Sequence, residues 1–156
     1  MALRINSEAP NFTAETTQGK INFHDWIGNG WAILFSHPKD FTPVCTTELG
    51  YMAKIKPEFD RRNVKVIGLS VDPTGDHEKW AEDIRETQGQ APNYPIIGDV
   101  DFKVSKLYGM LPASVDGDPT TTCPPSVGPW SGVRRRDGLP VLHGALEGTA
   151  GPGLPR

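Results

Sequence analysis

Cysteine is scarce in this sequence: 156 residues contain two, Cys45 and Cys123. Two cysteines are poor grounds for a structural disulfide, and a free cysteine is usually a small buried hydrophobe unless its surroundings make it reactive. Long apolar runs are absent as well, and none approaches the roughly 20 residues needed to span a bilayer. Neither sign of charge dominates. Lys plus Arg number 16 against 19 Asp plus Glu, for a formal net charge of -3. The basic residues are scattered, which argues against nucleic acid or an anionic membrane surface as the main partner. The opening residues, MALRINSEAPNFTAE, lack a basic start followed by an apolar stretch, so no secretory signal is expected. The expected location is therefore the cytoplasm, where thiols stay reduced. The four histidines show no ligand spacing with the cysteines, and no metal or other cofactor is expected.

What is present over residues 1–111 is the pattern of an ordinary α/β domain. WAILFSH, residues 31–37, is a short apolar run with a polar end, as in a buried strand. Leu49, Met52, Ile55 and Phe59 then recur at helical spacing, a stripe that would face a sheet. VKVIGLSVD, residues 64–72, is rich in β-branched residues and reads as a second buried strand. His77, Trp80, Ala81 and Ile84 mark a further amphipathic helix. A short strand at 94–98 and a short helix at about 102–108 follow. Strands alternating with helices imply βαβ units and a largely parallel sheet.

Residues 112–156 break that pattern, with 8 Gly and 8 Pro in 45 positions against 9 and 7 in the 111 before them. Gly plus Pro at that density, without a period, is the composition of an irregular or disordered tail. Only LPVLHGAL, residues 139–146, suggests a strand. Gly, Pro and Arg come from GC-rich codons, which fits an ending read out of frame or from an intron. A linker or disordered tail of unusual composition is the alternative.

The segment SHPKDFTPVCTTELG, residues 36–50, leaves the first buried strand and opens the long helix. Thr42 is a good helix cap and Pro43 a good first helical residue, which puts Cys45 in the first turn. Unpaired N–H groups and the positive end of the helix dipole gather there and favour a thiolate. A thiolate is the form that attacks peroxides and passes reversibly through a sulfenic acid.

Pro38, Thr42 and Cys45 also match the P-x-x-x-T-x-x-C signature of peroxiredoxins, and the whole run resembles their single-cysteine (peroxiredoxin-6-like) subgroup. Further matches are APNF, FHDWIG, VIGLSVD, HEKWAEDI, PIIGD and KLYGMLPAS, and the similarity ends near DGDPT at 116–120. The resemblance implies a thioredoxin-like fold with an N-terminal extension, and an antioxidant thiol peroxidase acting on hydrogen peroxide and organic hydroperoxides. It implies that Cys45 is the peroxidatic nucleophile, that Thr42 hydrogen-bonds thiolate and peroxide, and that Pro38 shields the pocket from water. His37 adjoins the site as a supporting residue or as an ordinary structural histidine. The implied partners are a peroxide, an external thiol reductant of glutathione or thioredoxin type, and a second copy in a homodimer.

Three departures from the family follow. A pocket arginine is implied from a later strand, but Arg134, Arg135 and Arg136 lie in no matching context and none is assigned the role. Two late strands and a closing helix are expected to be missing, leaving one edge and one face of the sheet bare. Some relatives carry a G-x-S-x-G element credited with phospholipase activity. Here it reads Gly28-Asn29-Gly30-Trp31-Ala32, so His24 matches but the serine position is glycine. Cys123-Pro124 echoes the resolving cysteine of two-cysteine relatives, yet it lies in the aberrant tail. Two other functional readings stand beside the peroxidase: an impaired truncated peroxiredoxin acting as a binding partner, and a holdase-like chaperone.

Overall fold

The computed structural model describes residues 8–37, 40–111, 131–134 and 140–145. It opens with a hairpin that the sequence did not reveal, β1 (Thr13–Thr16) against β2 (Gly19–Asn22). The Thr16 hydroxyl closes the turn by donating to the Gly19 carbonyl at 2.7 Å, and Gly19 takes a φ of +95°. Glycine adopts that conformation without steric cost. Asn22 then accepts a hydrogen bond from the Asp25 N–H and caps the short helix α1 (Phe23–Ile27).

The elements expected from periodicity come next: β3 (Trp31–Ser36), α2 (Pro43–Asp60), β4 (Val64–Ser70), α3 (Thr74–Gln88), β5 (Ile96–Gly98) and α4 (Lys103–Leu107). Strands β3, β4 and β5 are parallel, and β1 joins β5 antiparallel. This is the mixed α/β, thioredoxin-like arrangement that the sequence implied.

Strand β3 alternates between two apolar layers. Ile33 and Phe35 point to the side covered by α2 and α3, where they meet Leu49, Ala53, Trp80 and Ile84. Ala32 and Leu34 point to the other side, against Phe12, Phe23, Ile27 and Tyr108. A period of two with both faces apolar is what a continuous hydrophobic run becomes in a parallel sheet. Two hydrogen bonds tie the layers to the helices. Trp80 Nε1 donates to Thr46 Oγ1 at 3.0 Å, and the Tyr94 hydroxyl donates to the Leu49 carbonyl at 3.1 Å. Helix α2 runs through Pro57, which has no N–H to offer the Ala53 carbonyl one turn back. Asn93 Nδ2 donates to that carbonyl instead, at 3.2 Å.

The C-terminal part is fuller than the composition suggested. Two strands, β6 (Ser131–Arg134) and β7 (Pro140–Ala145), extend the sheet to seven strands in the order β2-β1-β5-β4-β3-β7-β6. Strand β7 coincides with the stretch marked as the tail's one candidate strand, and it pairs parallel with β3 from Ala32 opposite Val141 to Ser36 opposite Ala145. The bare edge expected beside β3 is therefore occupied, by the stretch that contains Val141 and Leu142. Over β3 and β4 the expected bare face is covered as well, by α1, α4 and the segment before β1. Among the described residues no helix follows α4.

Hydrogen exchange tests the seating of β7. The backbone amides of residues 141–145 should be protected alongside those of β3, and exchange at the free-peptide rate would show that β3 has no partner on that side.

Candidate active site

The parallel strands β3 and β4 end on the same side of the sheet, and the polar residues that leave them converge there. Ser36 and His37 end β3, Ser70 ends β4, Asp72 follows it, and His77 lies in the first turns of α3. All but Asp72 are buried to within 1% of full coverage. The chain between His37 and α2 turns through this cluster. Asp40 is buried, and its N–H donates to Asp72 Oδ2 at 2.9 Å, an oxygen that also accepts from the Ser70 hydroxyl at 2.9 Å. Its carboxylate accepts from both histidines, from His37 Nε2 at 2.7 Å and from His77 Nδ1 through the other oxygen. Phe41 then adopts a φ of +58°, uncommon for an aromatic residue, before Thr42 begins the helix.

Thr42 occupies the cap position of α2 and Pro43 its first turn, as expected, but the Thr42 side chain does not cap the helix. Its hydroxyl bonds the Cys45 thiol instead, while its carbonyl accepts from the Thr46 N–H at 2.9 Å. Cys45 sits at the third helical position and is 4% exposed, whereas the side chains of Phe41 and Val44 are exposed. A hollow of about 470 Å³ beside the helix start is lined by Phe41, Pro43, Thr46, Thr47 and Trp80.

Opposing influences act on the Cys45 thiol. Burial, the largest influence, pushes the Cys45 thiol above its ordinary pKa. The Thr42 hydrogen bond pulls it down, and the charges of Glu48 and Asp40 push it up again. Glu48 is itself raised by burial, and its Oε2 has no hydrogen-bond partner among the described residues. A cation would suit that place. Of the described arginines outside the tail, Arg61 and Arg62 pair with Glu58 and Arg85 with Glu82, all exposed. Arg134 lies in β6, whereas Arg135 and Arg136 fall outside the described residues.

Of the residues picked from sequence, Cys45, Thr42 and His37 therefore gather at one place, while Pro38 and Cys123 lie outside the described residues. Asp40 and His77 were missed. They are 37 residues apart, and no periodicity announces that β3, α3 and the turn would bring two imidazoles onto one carboxylate. The donor atoms of His37, Asp40 and His77 lie within 4.8 Å of one another, a spacing that could suit a metal ion. Each is engaged by another member of the group, so the cluster reads as a hydrogen-bonded network, in which His37 Nδ1 has no partner among the described residues. Burial lowers the His37 pKa, and the hydrogen bonds from the two histidines hold the Asp40 carboxyl below its usual range although burial opposes this.

The second motif is sterically closed to a serine. A Cβ on Gly30 would lie 2.7 Å from the backbone carbonyl oxygen of Asn63, and His24 donates from Nε2 to the Ala9 carbonyl at 2.8 Å.

A buried thiol opening a helix beneath parallel strands defines a thioredoxin-like α/β protein of cysteine chemistry. The AhpC/TSA family model matches residues 5–127, and the chain belongs to that family, among its single-cysteine peroxiredoxins. It is 60% identical over 112 residues to mitochondrial peroxiredoxin PRX1 of Saccharomyces cerevisiae, covering 71% of this chain and 43% of that protein. To the 1-Cys peroxiredoxin of Dictyostelium discoideum it is 46% identical over 142 residues, 91% of this chain and 59% of the relative. Peroxiredoxin-6 of Rattus norvegicus is 55% identical over 126 residues, 76% and 56%. Among solved structures, the yeast mitochondrial 1-Cys peroxiredoxin superposes with a TM-score of 0.69 at 57% identity, covering 74% of this chain and 54% of that one. Enterococcus faecalis AhpC superposes with a TM-score of 0.62 at 30% identity, covering 73% and 68%. The chain thus spans about half the length of the curated relatives it matches.

Two outcomes are expected. Glu48→Gln removes a like charge from beside the thiol, so alkylation of Cys45 by iodoacetamide at pH 8 should accelerate roughly threefold to tenfold, with the midpoint of its pH profile moving down. An unchanged profile would mean that Glu48 does not act on the sulfur. Purified chain should release no fatty acid from phospholipid vesicles above a buffer control, since Gly30 offers no nucleophile.

Proposed function

We propose that the chain is a thiol-dependent peroxidase that reduces hydrogen peroxide and organic hydroperoxides. The observation that carries the reading is Cys45 in the first turn of α2 with the Thr42 hydroxyl bonded to its sulfur. The Cys45 thiolate attacks one peroxide oxygen and the O–O bond breaks. The departing oxygen takes a proton and leaves as water or an alcohol. Sulfur is oxidised to the sulfenic acid while the peroxide gains the two electrons. An external thiol condenses with the sulfenic acid, releasing water and forming a mixed disulfide, and a second thiol then restores Cys45.

Within this scheme Thr42 orients sulfur and peroxide, Pro38 keeps water from the pocket, and His37 supports the turn through Asp40. The reductant is of glutathione or thioredoxin type. The yeast relative's thiol is resolved through glutathione and thioredoxin systems, which supports that choice. A second copy of the chain completes a homodimer. The cytoplasm suits a thiol that must return to the reduced state. No helix among the described residues is long and apolar enough to cross a membrane.

The same site supports only a slow enzyme. A desolvated thiol flanked by Glu48 and Asp40 ionises reluctantly, and no described arginine outside the tail is free to offset those charges. In stopped-flow assays, Cys45→Ser should abolish peroxide consumption while Cys123→Ser leaves it nearly intact. The wild-type chain should react at least tenfold more slowly than a full-length relative, a gap of about 1.4 kcal/mol in barrier. An inactive, folded Cys123→Ser variant would restore a two-cysteine mechanism, and consumption surviving in Cys45→Ser would remove the proposed nucleophile.

A further inference from the structure

Helix α3 carries five acidic residues against two Lys or Arg, an excess as large as the net charge of the whole chain. Asp83 and Glu86 lie three apart on it, so they are neighbours on one face. Both are exposed, and both line the hollow of about 470 Å³ beside the start of α2. Like charges at that spacing repel each other unless a cation joins them. No described Lys or Arg lines the hollow. Lys79, one turn before Asp83, pairs with Asp76, and Arg85 pairs with Glu82 and feels Glu86 only as a further charge.

The inner wall of the hollow is aromatic. Trp80 is buried and fixed by its hydrogen bond to Thr46, and the Phe41 ring lies 6.1 Å from it, centroid to centroid. Phe41 itself is 52% exposed. Aromatic faces flanked by carboxylates suit an ammonium or guanidinium group on an apolar stem. The ring quadrupoles and the two charges attract the head, while the stem packs against Phe41 and Pro43. The hollow also adjoins the thiol along the chain, since Pro43 and Thr46 flank Cys45 in the first turns of α2.

We propose that this hollow docks a lysine or arginine side chain of a protein thiol reductant. Asp83, Glu86 and the Phe41 and Trp80 rings hold that cation while the reductant's thiol condenses with the Cys45 sulfenic acid, forming the mixed disulfide and releasing water. The inference rests on the peroxidase reading and chooses between the two reductant types it allows. Glutathione carries two carboxylates and one ammonium group, a net negative charge that Asp83 and Glu86 oppose. A protein offers a single cation on a flexible stem, set apart from its sulfur.

The test forms the same mixed disulfide without peroxide, so its failure is distinguishable from a failure to consume peroxide. The full chain carrying Cys123→Ser is mixed with capped peptides whose cysteine is activated as a 2-pyridyl disulfide. The Cys45 thiolate attacks the peptide sulfur and the S–S bond breaks. Pyridine-2-thiolate leaves, takes a proton, and is followed by its absorbance. The peptides are Cys-Gly-Gly-Lys, Cys-Gly-Gly-Gln and Cys-Gly-Gly-Glu, and glutathione activated in the same way is a fourth probe. At low salt the Lys peptide should react about tenfold faster than the Glu peptide or glutathione, with Gln between, and about 1 M salt should shrink the gap. Asp83→Asn with Glu86→Gln should bring the peptides to within about twofold of one another. Phe41→Leu should lower the preference for Lys although both charges remain. Asp25→Asn with Glu78→Gln removes as much charge from residues that do not line the hollow, and should leave the preference in place. Equal rates for the Lys and Glu peptides would overturn the proposal, a result the unsubstituted hollow gives even where a variant fails to fold. So would a preference that survives the loss of Asp83 and Glu86 or disappears in the Asp25 and Glu78 control. Glutathione as the fastest probe would assign the site to a small anionic thiol instead.

Discussion

Strand β3 is apolar on both faces, and this constraint orders the rest of the molecule. With Ile33 and Phe35 on one side and Ala32 and Leu34 on the other, the strand is stable only if each face is covered. Helices α2 and α3 cover one, and α1, α4 and the segment before β1 cover the other. Because the strand is held so tightly, its end is delivered to a fixed and dry place. Ser36 and His37 leave the sheet inside the protein rather than in solvent. Any polar group arriving there must find a partner or carry a desolvation cost. His37 Nε2 finds Asp40, which is held in turn by Asp72 and His77, whereas Ser36 Oγ and His37 Nδ1 have no partner among the described residues.

The same dryness gives the thiol its character. A helix start favours a thiolate, yet the dipole contributes little beside the cost of desolvating a charge. The Thr42 bond helps, while Glu48 and Asp40 oppose. Nucleophilicity at this position is a balance of local charges rather than a property of helix geometry. Anything that neutralises one of the two carboxylates tips the balance towards thiolate. Glu48, with a buried oxygen left without a partner among the described residues, is the uncompensated side of the pocket.

Much of the fold was legible in the sequence because its elements are local. β3, α2, β4, α3, β5 and α4 all lie within a few residues of where apolar periodicity put them. The β1–β2 hairpin was not legible, since its partly exposed strands alternate weakly and its turn is marked by little more than Gly19. In the tail, glycine and proline content pointed to irregular chain, yet residues 140–145 form a strand where β3 offers an edge. Composition describes an average, whereas pairing depends on a particular neighbour.

For the site, the sequence by itself determined the nucleophile and its setting. A threonine, a proline and a cysteine at this spacing open a helix with the sulfur in its first turn, whatever the remainder of the chain does. Tertiary structure alone decided how reactive that sulfur is and what holds it in place. The causes are burial by neighbouring elements, the approach of Glu48 and Asp40, and the meeting of His37 with His77 at Asp40. Local chemistry along the chain is written in consecutive residues. Desolvation and the pairing of polar groups 37 residues apart exist only after the chain has closed on itself.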